Sequence, residues 1–213
     1  MKSAKDSFPA RLVCAAALAI LARAAGAFPE TFELERSALA QGELWRLWTG
    51  HLVHGSASHF GYDVGAAALL CVAFGPTLRL LWMAPLISIA LLVALPEVQH
   101  YHGLSALLHA WVVVIAAEIL VEERGARALI AAGLLLGTLG KAATETWTGA
   151  SLFTAELDFG GPVLHASHLV GALIGCLPLV AGGLDTRRLL ESEHDQAPRH
   201  ADPARAGRAR AGG

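Results

Sequence analysis

Residues 104–121 read LSALLHAWVVVIAAEILV, a nearly continuous apolar run that only Ser105, His109 and Glu118 interrupt with polar groups. A run of this length and composition predicts a transmembrane helix, because crossing the hydrocarbon core takes about 20 apolar residues. Five further apolar blocks lie on either side of it, at residues 12–28, 60–74, 80–95, 126–141 and 162–182. The sequence therefore predicts an all-α membrane protein with six transmembrane helices.

The composition supports a lipid environment. Hydrophobic residues make up 54% of the chain and charged residues 16%, against about 25% charged residues in a typical soluble domain. The formal net charge of −2 gives no basic excess for nucleic-acid binding. We therefore expect membrane lipids as partners and no nucleic acid, and the site favoured below uses neither a cofactor nor a metal.

The chain divides into three parts. Residues 1–11 form a cytoplasmic N-terminus, residues 12–182 the transmembrane domain, and residues 183–213 a disordered cytoplasmic tail rich in Arg, Ala, Pro and Gly. A cleavable signal peptide is an alternative interpretation of the first apolar block, because a basic start precedes a short apolar run and small residues.

The basic residues predict the orientation of the spans. With the N-terminus inside and six spans, twelve Lys and Arg residues lie on the cytoplasmic side and four on the outer side. This asymmetry satisfies the positive-inside rule. Under the same topology, eight of the ten histidines fall at or near the outer side, although histidine played no part in deriving it: His51, His54, His59, His100, His102, His109, His165 and His168.

The fourth predicted span carries a candidate nucleophile in its first turn. Ser105 can cap the helix, which is the common role of serine there. It also lies where free N–H groups and the helix dipole would stabilise an oxyanion. Gly103 removes a side chain beside it, and His109 lies one turn further on the same face.

The sixth predicted span carries a candidate base. His168 lies near the outer end of this span, at a depth similar to that of Ser105. Gly171 and Gly175 form a small-xxx-small stripe that lets helices pack closely. Packing of this stripe against the fourth span would bring His168 within reach of Ser105, as an activated nucleophile requires.

These elements resemble the rhomboid family of intramembrane proteases. Residues 44–46 (LWR) resemble the family's Trp-Arg element, residues 59–63 (HFGYD) its His-x-x-x-Asn, residues 103–106 (GLSA) its Gly-x-Ser-Gly, and residues 168–175 (HLVGALIG) its His-x-x-Gly-x-x-x-Gly. The resemblance covers residues 10–182 and is strongest to the rhombosortase branch.

The resemblance implies a rhomboid-like bundle of six helices in a bacterial inner membrane, with its active site facing the periplasm. Ser105 would be the nucleophile and His168 the general base, as a dyad without a carboxylate. His59 and the Ser105 N–H would line the oxyanion hole. The substrates would be transmembrane or C-terminally anchored exported proteins, including proteins with a C-terminal Gly-Gly sorting tag.

Two residues depart from the family pattern. Ala106 stands in place of the glycine after the serine, and Asp63 in place of the asparagine. Since an ionised Asp can only accept hydrogen bonds, Asp63 would serve the oxyanion hole only if protonated, or by orienting His59. Two other interpretations stay open: a catalytically inactive rhomboid-like protein that binds clients, and a histidine-rich metal site.

Overall fold

The computed structural model describes residues 7–153 and 158–178, and the predicted tail at 183–213 lies outside them. Helices dominate the described part, with one pair of very short strands. The elements are α1 (Phe8–Ala25), α2 (Pro29–Phe32), β1 (Leu34–Glu35), α3 (Arg36–Ala40), α4 (Arg46–Thr49), a 3-10 turn (Gly50–Leu52), α5 (Ala57–Phe74), α6 (Arg79–Ala94), β2 (His100–Tyr101), α7 (Ser105–Glu122), α8 (Ala126–Thr148) and α9 (His165–Gly175).

Within the described residues, α1, α5, α7 and α8 are long and apolar enough to cross a membrane. Large apolar side chains on three of these helices, including Val13, Leu69 and Leu129, are more than half exposed. Exposed apolar surface of this extent is rare on soluble monomers and is stable against lipid. Helix α6 has 16 residues and α9 is described over 11, so both fall short of the same criterion.

The start of α1 and the end of α8 are among the helix boundaries that differ from the predicted blocks. Helix α1 begins at Phe8 rather than at residue 12, because the Ser7 side chain accepts a hydrogen bond from the Ala10 N–H and Pro9 suits the first turn. Helix α8 continues to Thr148 rather than ending at residue 141. Its polar last two turns stay helical, and Gly149 ends them with φ of +66°.

Helix α7 lies at the centre of the bundle and packs against α5, α6, α8 and α9. Ala106 and Ala110, both fully buried, form its face toward α9. A Cβ atom added at Gly171 would overlap the carbonyl oxygen of Ala106, and one added at Gly175 would lie 2.7 Å from that of Ala110. The backbones of α7 and α9 are therefore in direct contact, as small residues allow.

The long connection between α1 and α5 is a folded segment built around one buried arginine. Arg46 is 5% exposed. Its guanidinium donates to the Glu33 and Glu30 carbonyls, each at 2.7 Å, and pairs with the Glu43 carboxylate at 2.7 Å. Five donors in a fixed plane let a single arginine join several turns of chain.

The two short strands tie this connection to the start of α7. Strand β1 pairs with β2 in antiparallel register, with Leu34 opposite Tyr101 and Glu35 opposite His100. Just beyond the ladder, the Gly103 N–H donates to the Gly50 carbonyl at 3.2 Å. The position of Ser105 thus depends on the folded segment as well as on the bundle.

Candidate active site

Helix α7 begins at Ser105, which is its first helical residue rather than its cap. Leu104 is the N-cap, and no side chain caps this helix. The interpretation of Ser105 as a capping residue is therefore wrong. The Ser105 N–H belongs to the first turn of α7, whose N–H groups have no carbonyl partner inside the helix.

Gly103 is required by the turn that precedes α7. Its φ is +115°, and a Cβ atom there would lie 2.8 Å from Nε2 of His59. Glycine adopts this conformation without strain. The space left by the missing side chain is therefore partly filled by the His59 imidazole.

The contact between α7 and α9 brings the two candidate catalytic groups to one cavity. His168 lies in the first turn of α9 and is 7% exposed. Ser105 and His168 both line a cavity of about 270 Å³ whose wall also includes Tyr62, Asp63, His109, Lys141 and Phe159. Gly171 and Gly175 permit this approach because they let α9 lie directly on the backbone of α7.

A buried carboxylate contacts the imidazole of His168. Nδ1 of His168 lies 2.9 Å from Oε2 of Glu145, and the Glu145 side chain is 1% exposed. Because a carboxylate accepts, Nδ1 carries the hydrogen, and Nε2 of the neutral ring keeps its lone pair as a base. The resemblance implied a dyad without a carboxylate, whereas the structure places the Glu145 carboxylate against the His168 ring.

Glu145 has enough donors around it to stay ionised while buried. Its Oε2 also accepts from the Lys141 ammonium at 2.6 Å, one helical turn away on α8. Its Oε1 accepts from the Leu152 N–H at 2.9 Å. Buried charges are tolerated when they are paired and hydrogen-bonded in this way.

His109 packs beneath His168 and holds it from the other side. The two rings are stacked, with centroids 4.4 Å apart and planes 11° from parallel. Nδ1 of His109 donates to the Ser105 carbonyl at 2.7 Å, so Nε2 accepts from the Lys141 ammonium at 3.3 Å. His109 therefore links Ser105 and Lys141 and does not itself offer a free base.

Asp63 acts as an acceptor and not as an oxyanion donor. Its Oδ2 accepts from the Leu104 N–H at 2.8 Å and lies 3.3 Å from Nε2 of His59. Asp63 therefore fixes both the entrance to α7 and the direction of the His59 ring. The second role that the sequence left open for it, orienting His59, fits these contacts.

Tyr101 contributes a buried hydroxyl next to Ser105. Its Oη donates to the Gly103 carbonyl at 3.1 Å, and the Ser105 and Ser167 side chains lie close to it. Burial raises the pKa of Tyr101 well above its usual value. The phenol thus stays neutral and serves as a donor at the base of the Ser105 turn.

Several of these residues were not among the predicted site residues. Lys141 is the last residue of a predicted apolar block, Glu145 lies in the polar stretch after it, and Tyr101 lies just before the fourth span. The Lys-x-x-x-Glu spacing did offer a signal, because it places the two side chains on one helix face. Two of the histidines that precede α5 have buried side chains. His51 is fully buried, and the His54 side chain is 2% exposed.

Comparison with known proteins identifies no relative. No family model, no curated protein and no solved structure matches the chain. The functional interpretation therefore depends on the arrangement of the residues described above.

Proposed function

We propose that this protein is an intramembrane serine protease with a rhomboid-like bundle of six transmembrane helices. The observation that carries the proposal is the cavity shared by Ser105 and His168, with Glu145 bonded to the far nitrogen of the imidazole. A hydroxyl, an imidazole and a buried carboxylate in this order are the groups used for acyl transfer on several unrelated folds.

In the proposed reaction, Ser105 Oγ attacks a peptide carbonyl while Nε2 of His168 takes its proton. The imidazolium keeps its Nδ1–H bonded to Glu145, whose negative charge stabilises it. His168 then gives its Nε2 proton to the leaving amine. Water, or another nucleophile such as a lipid amine, attacks the acyl-enzyme and frees Ser105.

The oxyanion of the tetrahedral intermediate would form at the start of α7. The Ser105 N–H and the positive end of the helix dipole supply stabilisation there. His59 would add a second donor once its ring turns from Asp63 toward the cavity. Loss of one such donor typically lowers the rate by about 10²–10³-fold.

The substrates we propose are exported proteins anchored by a transmembrane segment, with a C-terminal Gly-Gly sorting tag as the most specific candidate feature. Apolar residues, including Leu69, Leu108 and Val112, also line the cavity. Such a surface suits a segment that arrives from lipid. The active site would face the periplasm from the bacterial inner membrane.

The test is co-expression of the chain with a secreted reporter that ends in a Gly-Gly tag. We expect processing by the wild type and by Ser37→Ala, which alters an exposed serine, but none by Ser105→Ala or His168→Asn. A fluorophosphonate probe should label the wild type and not Ser105→Ala.

Two outcomes would count against the proposal. Processing that survives Ser105→Ala would exclude this serine as the nucleophile. A wild type that binds the reporter but neither cleaves it nor reacts with the probe would favour the inactive client-binding alternative.

A further inference from the structure

Two clusters of metal-ligating side chains occur among the described residues. The first consists of His54, His59 and Asp63, and the second of His109, Glu145 and His168. In the second cluster the Lys141 ammonium, 2.6 Å from Glu145, already supplies a positive charge. The first cluster also contains a carboxylate, that of Asp63. Among the described residues, no lysine or arginine pairs with it.

The His54 imidazole is the unusual member of the first cluster. Nδ1 lies 3.0 Å from the Leu52 carbonyl oxygen, which can only accept, so Nδ1 carries a hydrogen. Nε2 of the neutral ring then carries a lone pair. This nitrogen has no hydrogen-bond partner among the described residues, and it faces Oδ2 of Asp63 at 3.5 Å. A lone pair against a carboxylate oxygen is repulsive unless a cation lies between them.

The distances distinguish a proton from a metal ion. An imidazolium donating to a carboxylate usually closes to about 2.7–2.9 Å. Here the Asp63 oxygen lies 3.5 Å from the His54 nitrogen and 3.3 Å from the His59 nitrogen. Ligands at about 2.0–2.1 Å from a tetrahedral zinc ion are separated from one another by about 3.3–3.4 Å. The two distances from the Asp63 oxygen are those expected between ligands of one ion, and all three ligand atoms lie within 4.8 Å of one another.

We propose that His54 Nε2, His59 Nε2 and Asp63 Oδ2 bind one divalent transition-metal ion, with Zn²⁺ as the best fit. Two histidines and a carboxylate form an established zinc ligand set. The Leu52 carbonyl would hold the His54 ring in the tautomer that metal binding requires, as a backbone carbonyl commonly does. The Leu104 N–H would orient the Asp63 carboxylate.

Two glycines, Gly103 and Gly55, lie against the His59 imidazole, which is one of the proposed metal ligands. Gly103 has no side chain, and a Cβ atom there would come within 2.8 Å of His59 Nε2. The Gly55 N–H approaches His59 Nδ1 at 3.4 Å. Metal binding at Nε2 would place the ring hydrogen on Nδ1, so this long contact would be given up. Through Asp63, the ion would also fasten the segment that precedes α7.

The proposed zinc binding does not depend on the proposed protease activity. Bound zinc would nevertheless affect that activity. The same His59 nitrogen would serve the oxyanion, so the zinc-bound ring is not free to do so. We expect the zinc-loaded chain to cleave the reporter more slowly than the chelated chain. The tests of the site itself use metal content and unfolding, so they stand whether or not the protein is a protease.

The experiment uses the full chain in detergent micelles, stripped with a chelator and then titrated with Zn²⁺ against a fluorescent zinc indicator. We expect one tight site per chain, with affinity lowered by about 100-fold or more in His54→Ala and in Asp63→Asn. His100→Ala, which removes an exposed histidine, should leave the affinity unchanged. Zinc should raise the thermal unfolding midpoint of the wild type by several degrees and that of His54→Ala by much less.

The controls decide between this site and its alternatives. Asp63→Asn preserves the shape of the side chain, and near-ultraviolet circular dichroism at low temperature shows whether each variant is folded. His109→Ala should keep the zinc. A folded wild type that takes up no zinc would overturn the proposal, and so would tight binding that His109→Ala removes but His54→Ala does not.

Discussion

Glu145 determines which nitrogen of His168 is available as a base. Its carboxylate, 2.9 Å from Nδ1, holds the hydrogen on that nitrogen and thereby leaves the lone pair on Nε2. The Lys141 ammonium and the Leu152 N–H keep the carboxylate in place. A single residue on α8 thus sets the chemical state of a histidine on α9.

Replacement of Glu145 by Gln tests this role. The amide keeps the size of the side chain but removes the charge that stabilises the imidazolium. We expect kcat on a Gly-Gly-tagged peptide to fall by about 10²–10⁴-fold, with KM nearly unchanged. Steady-state kinetics in micelles provide the measurement.

The matched control is Glu118→Gln, which alters an exposed glutamate on α7 paired with Arg79. Its kcat should equal that of the wild type. A fall of less than about tenfold in folded Glu145→Gln would show that His168 acts without help from this carboxylate.

His51 predicts how stability changes with pH. Its ring is fully buried, with Nε2 3.1 Å from the Ala84 carbonyl and from Ser88 Oγ, and burial lowers its pKa to about 4. In the unfolded chain a histidine has a pKa of about 6.5, so between these values only the unfolded chain gains a proton. The stability contribution is complete above about pH 6.5 and falls by about 2 kcal/mol by about pH 5.

Thermal unfolding in micelles at neutral pH and at about pH 5 measures this effect. The difference between the two midpoints should be smaller in His51→Gln than in the wild type, because glutamine does not titrate. His100→Gln, at an exposed position, should keep the full difference. Equal pH dependence in the wild type and His51→Gln would contradict the assignment of the effect to His51.

At the scale of the elements, the packing of α9 on α7 carries His168 to the cavity. The pattern His-x-x-Gly-x-x-x-Gly made this approach predictable, because small residues four apart lie on one helix face. Glu145 was not predictable in the same way. Its segment is polar, and its partner His168 lies 23 residues away along the chain.

Substitution of Gly171 by Ala should separate the two helices. The added Cβ would overlap the Ala106 carbonyl oxygen, which is backbone and cannot move aside cheaply. We expect a loss of about 1–3 kcal/mol in stability and a strong decrease in fluorophosphonate labelling of Ser105. Thermal unfolding and gel-based labelling measure the two effects.

Gly133→Ala on α8 is the matched control, since nothing lies within 4 Å of a Cβ at that position. It should leave labelling unchanged and, if anything, stabilise the helix by about 0.5–1 kcal/mol. Normal labelling of Gly171→Ala would show that the α7–α9 contact is not needed to bring His168 to Ser105.

At the scale of the whole molecule, hydropathy predicted the membrane environment better than the number of spans. Four helices satisfy the length and composition criteria. The shorter α6 is apolar apart from Arg79 and Ser88 but has only 16 residues. The burial of His51 and the folded connection around Arg46 arise from contacts between distant segments, which no local pattern encodes.

Cysteine labelling in intact cells tests the six-span orientation. A cysteine introduced at His100 should react with a membrane-impermeant maleimide from outside, and one introduced at Arg124 should react only after the cells are opened. The positive-inside rule is the physical reason for this difference. The chain with only its native cysteines, Cys14, Cys71 and Cys176, serves as the background control.

Labelling of both positions from outside would contradict the predicted orientation. Labelling of only Arg124→Cys from outside intact cells would contradict it as well. Either outcome would leave the helical membrane character of the chain untouched, because that rests on the length and composition of α1, α5, α7 and α8.

The pairing of β1 with β2 limits which segments of this protein can be exchanged in a chimera. Leu34 and Glu35 pair one-to-one with Tyr101 and His100, and the Gly50 carbonyl receives the Gly103 N–H just beyond them. A chimera that exchanges residues 29–58 alone would pair a foreign β1 with the native β2, immediately before the start of α7. Residues 29–58 and residues 99–103 therefore have to be exchanged together, from the same donor protein.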